Sequence, residues 1–249
     1  GTTDNCGIDT AYLSKGLFTC SDVGTNPIIA TAVDSSSNSG SQLMQVTVMD
    51  TLAPGIALLS DTVELNNLGL GSLDTTAVIV YIRDNCGINT VVYSQLNYSV
   101  TDLGQNTLTV TVKDIHNNLT VTNTDIYVVD KLGPDVNVND VVLPLNGNGT
   151  ATITVATIDD NSSDNTGLDS LYITVSGYNC SDLGDHWVVL TGIDGSGNSD
   201  TAWSKVTVAD LQLPIMSISN ATIYLDTLGS AALNYSDVDN GTTDNCGID

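Results

Sequence analysis

The strongest constraint on this chain is an exact repeat over a long interval. The nine residues GTTDNCGID stand at 1–9 and again at 241–249, 240 residues further along. Nine identical residues in one order are very improbable by chance, and self-similarity at a fixed interval is the signature of a repeat architecture. We therefore expect the chain to be a window on a longer array whose unit has this length.

The repeating unit is itself threefold. Four landmarks recur without gaps at one constant interval, a third of the long one: Asp-Asn, Asp-x-Gly, Asp-x-x-x-Asn, and an Asp with Pro at the fourth position after it. Their Asp residues are, in that order, Asp4, Asp84 and Asp164; Asp22, Asp102 and Asp182; Asp34, Asp114 and Asp194; and Asp50, Asp130 and Asp210. We call each of these shorter repeats a module, and the fourth landmark ends it.

The landmarks also predict the domain boundaries. Residues 51–130 are module 2 and residues 131–210 are module 3. Residues 1–50 are the C-terminal part of module 1, and residues 211–249 are the N-terminal part of the next copy of module 1. We expect each of these two parts to find its missing half in a neighbouring copy.

The residues between the landmarks follow a strand pattern. Val, Ile, Thr and Tyr alternate with polar residues, and no helical period of useful length is present. The predicted strands cover residues 27–33, 43–49, 77–82, 88–93, 107–113, 125–129, 187–193 and 204–209. Turn residues recur about every 8 to 12 positions, as in β-sandwiches. The sequence therefore predicts an all-β fold of Ig-like sandwich modules, each of about 80 residues, arranged end to end.

The charge of the chain is strongly lopsided. It has 29 acidic and 5 basic residues, and its formal net charge is −24. A surface so poor in Lys and Arg cannot neutralise phosphates, which excludes nucleic acid, and an anionic membrane surface would repel it. No run of about 18 apolar residues is present, so we expect no membrane insertion in this segment. The acidity serves either solubility, through self-repulsion, or the binding of divalent cations.

The order of the motifs resembles a known family. Asp-Asn-Cys-Gly-Ile, Cys-Ser-Asp-x-Gly, Asp-x-x-x-Asn and Val-Thr-Val-x-Asp-x-x-x-Pro together resemble the hyalin-repeat (HYR) type of immunoglobulin-like module. The likeness is greatest to the arrays in giant surface adhesins of gliding and other Bacteroidota-type bacteria, and it covers essentially the whole chain. It implies an Ig-like β-sandwich, secretion, and a role in adhesion or surface filaments. It implies no catalytic activity.

Five cysteines fall at only two positions of the module. Cys6, Cys86 and Cys246 follow Asp-Asn, whereas Cys20 and Cys180 precede Ser-Asp-x-Gly. Only module 1 has both positions filled, so we predict a Cys6–Cys20 disulfide, with Cys246 pairing into the following copy. Closing a loop of about 15 residues would add roughly 3 kcal/mol, and such a bond is typical of a secreted protein.

Two cysteines have no partner in this scheme. Val100 and Thr166 stand where the partners of Cys86 and Cys180 would be. Either both thiols are buried and unpaired, or they meet in different chains and cross-link a bundle. Within one straight array they lie in adjacent modules, which predicts that they are too far apart for a disulfide.

Oxygen-bearing side chains concentrate at the predicted strand ends, where stacked sandwiches would meet. Ca²⁺ takes six to eight oxygen ligands from carboxylates, amides and carbonyls, so we predict structural Ca²⁺ sites at the module junctions. The alternative is turn formation, since Asp and Asn bond to their own backbone. The candidates, taken module by module, are Asp4, Asn5, Asp34 and Asp50; Asp84, Asn85, Asp114 and Asp130; and Asp164, Asn165, Asp194 and Asp210.

Other residues add weaker signals. No nucleophile elbow, P-loop or metalloprotease motif is present, so no catalytic residue is predicted. Trp187 and Trp203 are expected to pack in a core, with a carbohydrate-stacking platform as the alternative. Asp-Thr followed by a small or apolar residue is similar to the O-glycosylation sequon of Bacteroidota-type bacteria. It marks Thr10, Thr51, Thr62, Thr75, Thr201 and Thr227 as candidate glycosylation sites.

These observations favour a secreted structural repeat protein, a stalk or filament on the cell surface, that is not an enzyme. Its partners would be further copies of itself in tandem, and the filament is either one module thick or a lateral bundle. The alternative is an adhesin whose loops recognise a glycan or a protein ligand. The regular, gap-free modules favour the first reading, because a binding module usually carries one enlarged loop.

Overall fold

The computed structural model describes residues 3–248. The chain forms two compact units. The first contains the residues up to 63 together with 71–129, and the second contains 64–70 with the residues from 130 onward. The module boundaries inferred from the landmarks stay predictions. Module 2 and module 3 remain our names for residues 51–130 and 131–210.

Nearly all of the regular structure is β. Up to residue 129 the elements are β1 (Ile8–Leu13), β2 (Gly24–Asp34), β3 (Ser39–Val48), β4 (Gly55–Leu58), β5 (Asp61–Glu64), β6 (Leu70–Ser72), α1 (Thr75–Val78), β7 (Ile79–Arg83), β8 (Ile88–Tyr93), β9 (Asn97–Ser99), β10 (Gly104–Asp114) and β11 (Leu119–Val129). They are followed by β12 (Val141–Pro144), β13 (Thr150–Thr152), α2 (Val155–Ile158), β14 (Leu168–Ile173), β15 (Gly177–Asn179), β16 (Gly184–Asp194) and β17 (Ser199–Ala209).

Three equivalent strands form a sheet three times, and two of these sheets have a fourth strand. The strand order is β1-β2-β3 in residues 3–50, β5-β11-β10-β8 in module 2 and β12-β17-β16-β14 in module 3. Two-stranded sheets β4-β7, β6-β9 and β13-β15 complete the modules. No helix among residues 3–248 has the length and apolar character needed to cross a membrane.

Most of the predicted strands are confirmed. The paired long strands β2/β3, β10/β11 and β16/β17 contain all six segments predicted there, apart from the last residue of 43–49. The predicted strand 77–82 is wrong at its start, because residues 75–78 form one helical turn. Asp74 caps this turn by accepting hydrogen bonds from the backbone N–H and the hydroxyl of Thr76. An Asp N-cap satisfies donors that a strand would have to pair elsewhere.

Module 3 shows why the alternation folds into a sandwich. Every second residue of β16 points inward, and Val188 and Leu190 are 1% and 0% exposed. They pack with Val206 and Val208 of β17 and with Tyr178 of β15. The four-stranded sheet therefore encloses a core with β15 and α2 on the other side. The predicted β-sandwich fold is confirmed.

The Asp-x-Gly landmark forms the turn into each long strand. In module 2 the Asp102 carboxylate accepts from the backbone N–H and the hydroxyl of Ser99, closing a 3₁₀ turn. The Ser99 backbone N–H contributes most to holding the pKa of Asp102 below its usual value. Gly104 follows with φ of +100°, a conformation that favours glycine.

Candidate metal centres and disulfides

Because neighbouring strands are antiparallel, the landmarks of a module lie at opposite ends of its sheet. β1 and β3 both run antiparallel to β2, so Ile8 lies opposite Asp34, and Val48 lies opposite Gly24. The Asp-Asn pair and Asp-x-x-x-Asn therefore meet at one end, and the Cys-Ser-Asp turn and the module-ending Asp meet at the other. β2 has 11 residues, and at about 3.3 Å per residue the two ends are roughly 35 Å apart.

This separation overturns the predicted Cys6–Cys20 disulfide. Cys6 lies at the Asp34 end of β2, and Cys20 precedes Gly24 at the other end, whereas a disulfide requires Cα atoms within about 7 Å. Their closeness in sequence suggested a short loop, but β1 and β2 carry them apart. Cys6 is an exposed free thiol.

The observed disulfides join residues of consecutive modules. Cys20 bonds to Cys86 and Cys180 bonds to Cys246, each pair with a Cα–Cα distance of 5.3 Å and a sequence separation of 66. The prediction that Cys86 and Cys180 are unpaired or cross-link separate chains is therefore wrong. Cys246 was expected to pair with a cysteine of the following copy, but it pairs with Cys180 of the preceding module.

The first unit contains a cluster of three carboxylates. Oxygen atoms of Asp50, Asp84 and Asp114 all lie within 4.8 Å of one another. Asp50 comes from the end of the preceding module, and its side chain is only 3% exposed. Asn85 donates to Asp50 Oδ1 at 3.1 Å, and His116 Nδ1 lies 3.0 Å from Asp50 Oδ2.

The turn chemistry holds this cluster in place. Asp114 Oδ1 accepts from the backbone N–H groups of His116 and Asn118 at 2.8 Å each, and Asn118 Nδ2 donates to Asp114 Oδ2 at 2.7 Å. Burial opposes ionisation of Asp114, but the Asn118 side chain and these N–H groups lower its pKa on balance. The Asn85 amide has the largest effect in lowering the pKa of Asp50. Both carboxylates are thus held as anions next to each other.

The second unit repeats the cluster one module later. Oxygen atoms of Asp130, Asp164 and Asp194 lie within 4.8 Å of one another, and Asp130 and Asp194 are 7% and 2% exposed. Asn165 Nδ2 donates to Asp130 Oδ1 at 3.1 Å, and Thr166 Oγ1 donates to Asp130 Oδ2 at 2.8 Å. Among residues 3–248, no Lys, Arg or His side chain forms an ion pair with these three carboxylates.

One oxygen of each cluster is left without a protein partner. Asp84 Oδ1 accepts from the backbone N–H groups of Cys86 and Gly87, and Asp164 Oδ1 accepts from Thr166. Their Oδ2 atoms are buried and have no hydrogen-bond partner among the described residues. A buried carboxylate oxygen normally has a partner. The same orphan atom at the same place in two clusters fits a cation that would bind there.

The structure therefore regroups the predicted ligands. Asp50 and Asp130 were assigned to the clusters of their own modules, but each lies with the Asp-Asn pair and the Asp-x-x-x-Asn of the next module. No such cluster forms around Asp4, Asn5, Asp34 or Asp210 among the described residues. Asp34 makes the Asx turn with Asn38. Asp4 and Asn5 are exposed, and Asp210 accepts from the Gln212 N–H.

His116 was missed as a site residue. A lone His gave no sequence signal, and modules 1 and 3 have Ser36 and Ser196 at its position. The geometric grouping of Asp50, Cys86 and His116 does not offer three metal ligands, because the Cys86 sulfur is bonded to Cys20. His116 is instead a partner of Asp50 that distinguishes the first cluster from the second.

Two further predictions concern surface residues. Trp187 and Trp203 were expected in a core, but each is 61% exposed on the outer face of β16 and β17. Inward positions of these strands are taken by the alternate residues, so the register excludes both rings from the core. The threonines of the predicted glycosylation sequons are exposed except for Thr75, which is half-buried. Glycosylation itself stays a prediction, which an intact mass equal to that of the polypeptide would contradict.

A glycine is required beside the second disulfide. Gly149 has φ of +69°, and a Cβ there would stand 2.6 Å from Cys180 Sγ and 2.6 Å from the Asn245 carbonyl oxygen. Gly229, the equivalent residue one module later, has φ of +75° and nothing within 4 Å of the same position. The two glycines thus share a backbone conformation but differ in their surroundings.

We expect Gly149→Ala to destabilise the second unit more than Gly229→Ala. The Gly229 change should cost about 1–2 kcal/mol, the backbone penalty alone. The Gly149 change should add about 1–3 kcal/mol from overpacking against the disulfide. Urea unfolding of the two variants measures the difference, and equal losses would contradict the close packing at Gly149.

The comparisons with known proteins differ in outcome. No protein-family model matches the chain, and no curated protein matches it. Solved structures with a similar backbone include a protocadherin gammaB7 EC3-6 cis-dimer, at 16% identity and a TM-score of 0.36, over 86% of this chain and 64% of that chain. A human mucin-like protocadherin EC1-2 has 11% identity and a TM-score of 0.35, over 63% of this chain and 98% of that chain.

Immunoglobulin domains 1–4 of Sidekick-1 are also similar, at 11% identity and a TM-score of 0.36, over 78% of this chain and 60% of that chain. The chain thus spans less than two thirds of the protocadherin gammaB7 and Sidekick-1 chains. These three structures have TM-scores below 0.5. The β-sandwich fold and the sites described here are therefore argued only from the sheets, core and side chains of this chain. The resemblance to hyalin-repeat modules stays a prediction.

Proposed function

We propose that this chain is part of an extracellular structural repeat protein, a stalk or filament without catalysis, whose consecutive modules are joined by disulfides and by cation-bound carboxylates. Further copies of the repeat in tandem are its partners. One observation carries this proposal: three carboxylates within 4.8 Å occur twice, one module apart, each cluster drawing one member from the end of the preceding module. A site shared between modules serves to hold them together.

Calcium is the cation that the donor set favours. Three carboxylates with neighbouring Asn amides are hard oxygen ligands, and Ca²⁺ accepts six to eight of them in flexible geometry. The buried orphan oxygens of Asp84 and Asp164 are suited to complete such a shell. Bound Ca²⁺ would neutralise the mutual repulsion of the carboxylates, and the Asp-Asn pair and the Asx turn would hold these groups in position.

The disulfides support the assignment to an oxidising compartment. Disulfides form and persist in secreted and surface proteins and are rare in the cytosol. Cys20–Cys86 joins the same two modules as the cluster of Asp50, Asp84 and Asp114, so a covalent and an ionic link act at one junction. Cys180–Cys246 joins module 3 to the segment that follows it. Links of both kinds suit a protein that transmits force more than one that turns over a substrate.

Electron microscopy of the native protein tests the structural role. We expect uniform threads or fibres whose axial repeat corresponds to the long repeat of the sequence. Treatment with a chelator and a thiol together should convert them into flexible or fragmented particles, whereas neither treatment should be as effective alone. Compact isolated particles in the native material would contradict the proposal.

A second candidate function, recognition of a surface ligand, is favoured by the exposed tryptophans. Trp203 lies opposite Val189 and Trp187 lies opposite Lys205 in the β16/β17 register, which makes the two rings diagonal neighbours on one face. Exposed rings of this kind suit stacking against a sugar or a protein side chain. A glycan array should lose binding with Trp187→Ala and Trp203→Ala but not with Tyr172→Ala, and no binding by the unaltered protein would exclude the glycan.

A further inference from the structure

The sheet of residues 3–50 lacks the cover that the same sheet has in module 3. At equivalent positions, Ser204 is 0% exposed whereas Met44 is 44% exposed, and Val206 is 0% exposed whereas Val46 is only half-buried. Over this face runs a groove of about 670 Å³, lined in part by Ala11, Leu13, Ala30 and Ala32. Core positions of one module are thus open surface in another.

Residues 211–248 carry the complementary half. Ile215 bridges Thr243 and Ile218 bridges Asp239, repeating the bridges of Asp135 with Ser163 and Val138 with Asp159 found one module earlier. The segment therefore repeats these two bridges of the first part of module 3. Its core-forming side chains nevertheless remain outside: Leu225 and Leu233 are 68% and 54% exposed, whereas their equivalents Leu145 and Ile153 are 3% and 1% exposed.

A free strand edge accompanies the open face. β3 is the last strand of the β1-β2-β3 sheet, whereas β11 and β17 each carry one strand more, β5 and β12. β12 pairs in parallel with β17, and Val141 lies opposite Val206. Residues 221–224, the equivalents of β12, belong to no strand. An unpaired edge is a template for another strand.

We propose that residues 221–224 of a second copy of this chain add to the edge of β3 as a parallel strand, and that Leu225 and Leu233 of that copy close the core over β2. The register follows from module 3: Thr222 lies opposite Thr47, as Val142 lies opposite Thr207. One copy offers the edge and the other offers the strand, so the contact is head-to-tail and propagates.

Residues 3–8 and 243–248, which are identical in sequence, would hold the same position in the joined module. In the joined module, the copy that offers residues 221–224 keeps its own segment in that position, because Cys246 is bonded to Cys180. The corresponding segment of the other copy, which carries the free Cys6, is displaced. The inference rests on the proposed function only in naming a second copy as the partner. The experiments on association are run in the presence of a chelator, so a failure to associate would leave the proposed cation sites untouched.

Disulfide trapping tests the register directly. In a Cys6→Ser background, a Thr47→Cys chain mixed with a Thr222→Cys chain should form a covalent heterodimer under mild oxidation. Ser41→Cys is the control, because it lies on the same face of β3 and is roughly 20 Å from Thr47. Non-reducing electrophoresis should show at least 10-fold less heterodimer for the control. Equal trapping at both positions, or none at Thr47, would overturn the register.

Sedimentation of the full chain tests the core contact. We expect reversible, concentration-dependent association, weakened at least 10-fold by Leu225→Asp, with the melting temperature of the dilute monomer unchanged because Leu225 is 68% exposed there. Leu228→Asp is the matched control: Leu228 is 88% exposed, and its equivalent Asn148 is exposed in module 3. A chain that stays monomeric at all concentrations would overturn the proposal.

Discussion

Replacing Cys20 and Cys86 together by serine should lower the stability of the first unit by about 4 kcal/mol, the chain-entropy value for a loop of roughly 66 residues. For a unit of this size, that loss corresponds to a fall in melting temperature of about 10 to 20 °C. The loss is large because the bond closes a long loop that joins residues of two consecutive modules. Scanning calorimetry measures it.

The matched control is Cys6→Ser. Cys6 is exposed and free, so its replacement should change stability by less than about 0.5 kcal/mol. The pairing expected from sequence makes the reverse prediction, with Cys6→Ser as costly as Cys20→Ser. A large effect of Cys6→Ser with a small effect of Cys86→Ser would therefore contradict the observed disulfides.

Calcium should raise the melting temperature of the unaltered protein by about 5 to 10 °C at a concentration one hundred times its dissociation constant. Asp164→Asn should abolish the contribution of the second unit. Without calcium the same variant should be no less stable than the parent, because the change removes a like charge beside Asp130 and Asp194 and keeps the oxygen that accepts from Thr166.

The stability of Asp164→Asn relative to the parent should thus depend on calcium, and this dependence distinguishes a cation site from a turn. If the carboxylates only shaped turns, Asp164→Asn would destabilise equally with and without calcium. Asp169→Asn, an exposed carboxylate on β14 of the same module, is the control and should leave the calcium response intact. A calcium response that survives Asp164→Asn and Asp84→Asn together would place the cation elsewhere.

The alternation of apolar and polar residues was sufficient to predict the long strands, because only a strand turns every second side chain to the same face. β10 shows this, with Leu108, Val110 and Val112 all fully buried. The sequence was not sufficient at residues 77 and 78, which begin the apolar run A-V-I-V, because such a run fits a strand and a helical turn equally. There the local cap at Asp74 decided the outcome.

The errors in the candidate site share one physical cause. Residues close in sequence were grouped by module, but a strand of 11 residues carries its two ends apart. One end therefore meets the following module, and the other end meets the preceding module. That is why Cys20 reaches Cys86 and Asp50 reaches Asp84. The sequence does contain the missed signal: the bonded cysteines have a sequence separation of 66, and Val100 and Thr166, the two positions where cysteine is absent, are separated by the same interval.

The most direct test of cation-held junctions is the number of calcium ions bound per chain, measured by equilibrium dialysis of the unaltered protein and of the Asp84→Asn and Asp164→Asn variants. We expect two tightly bound ions per chain, one for each of the two carboxylate clusters, and the loss of one ion in each variant. Binding no greater than that of a denatured control, or a count unchanged in both variants, would contradict the account.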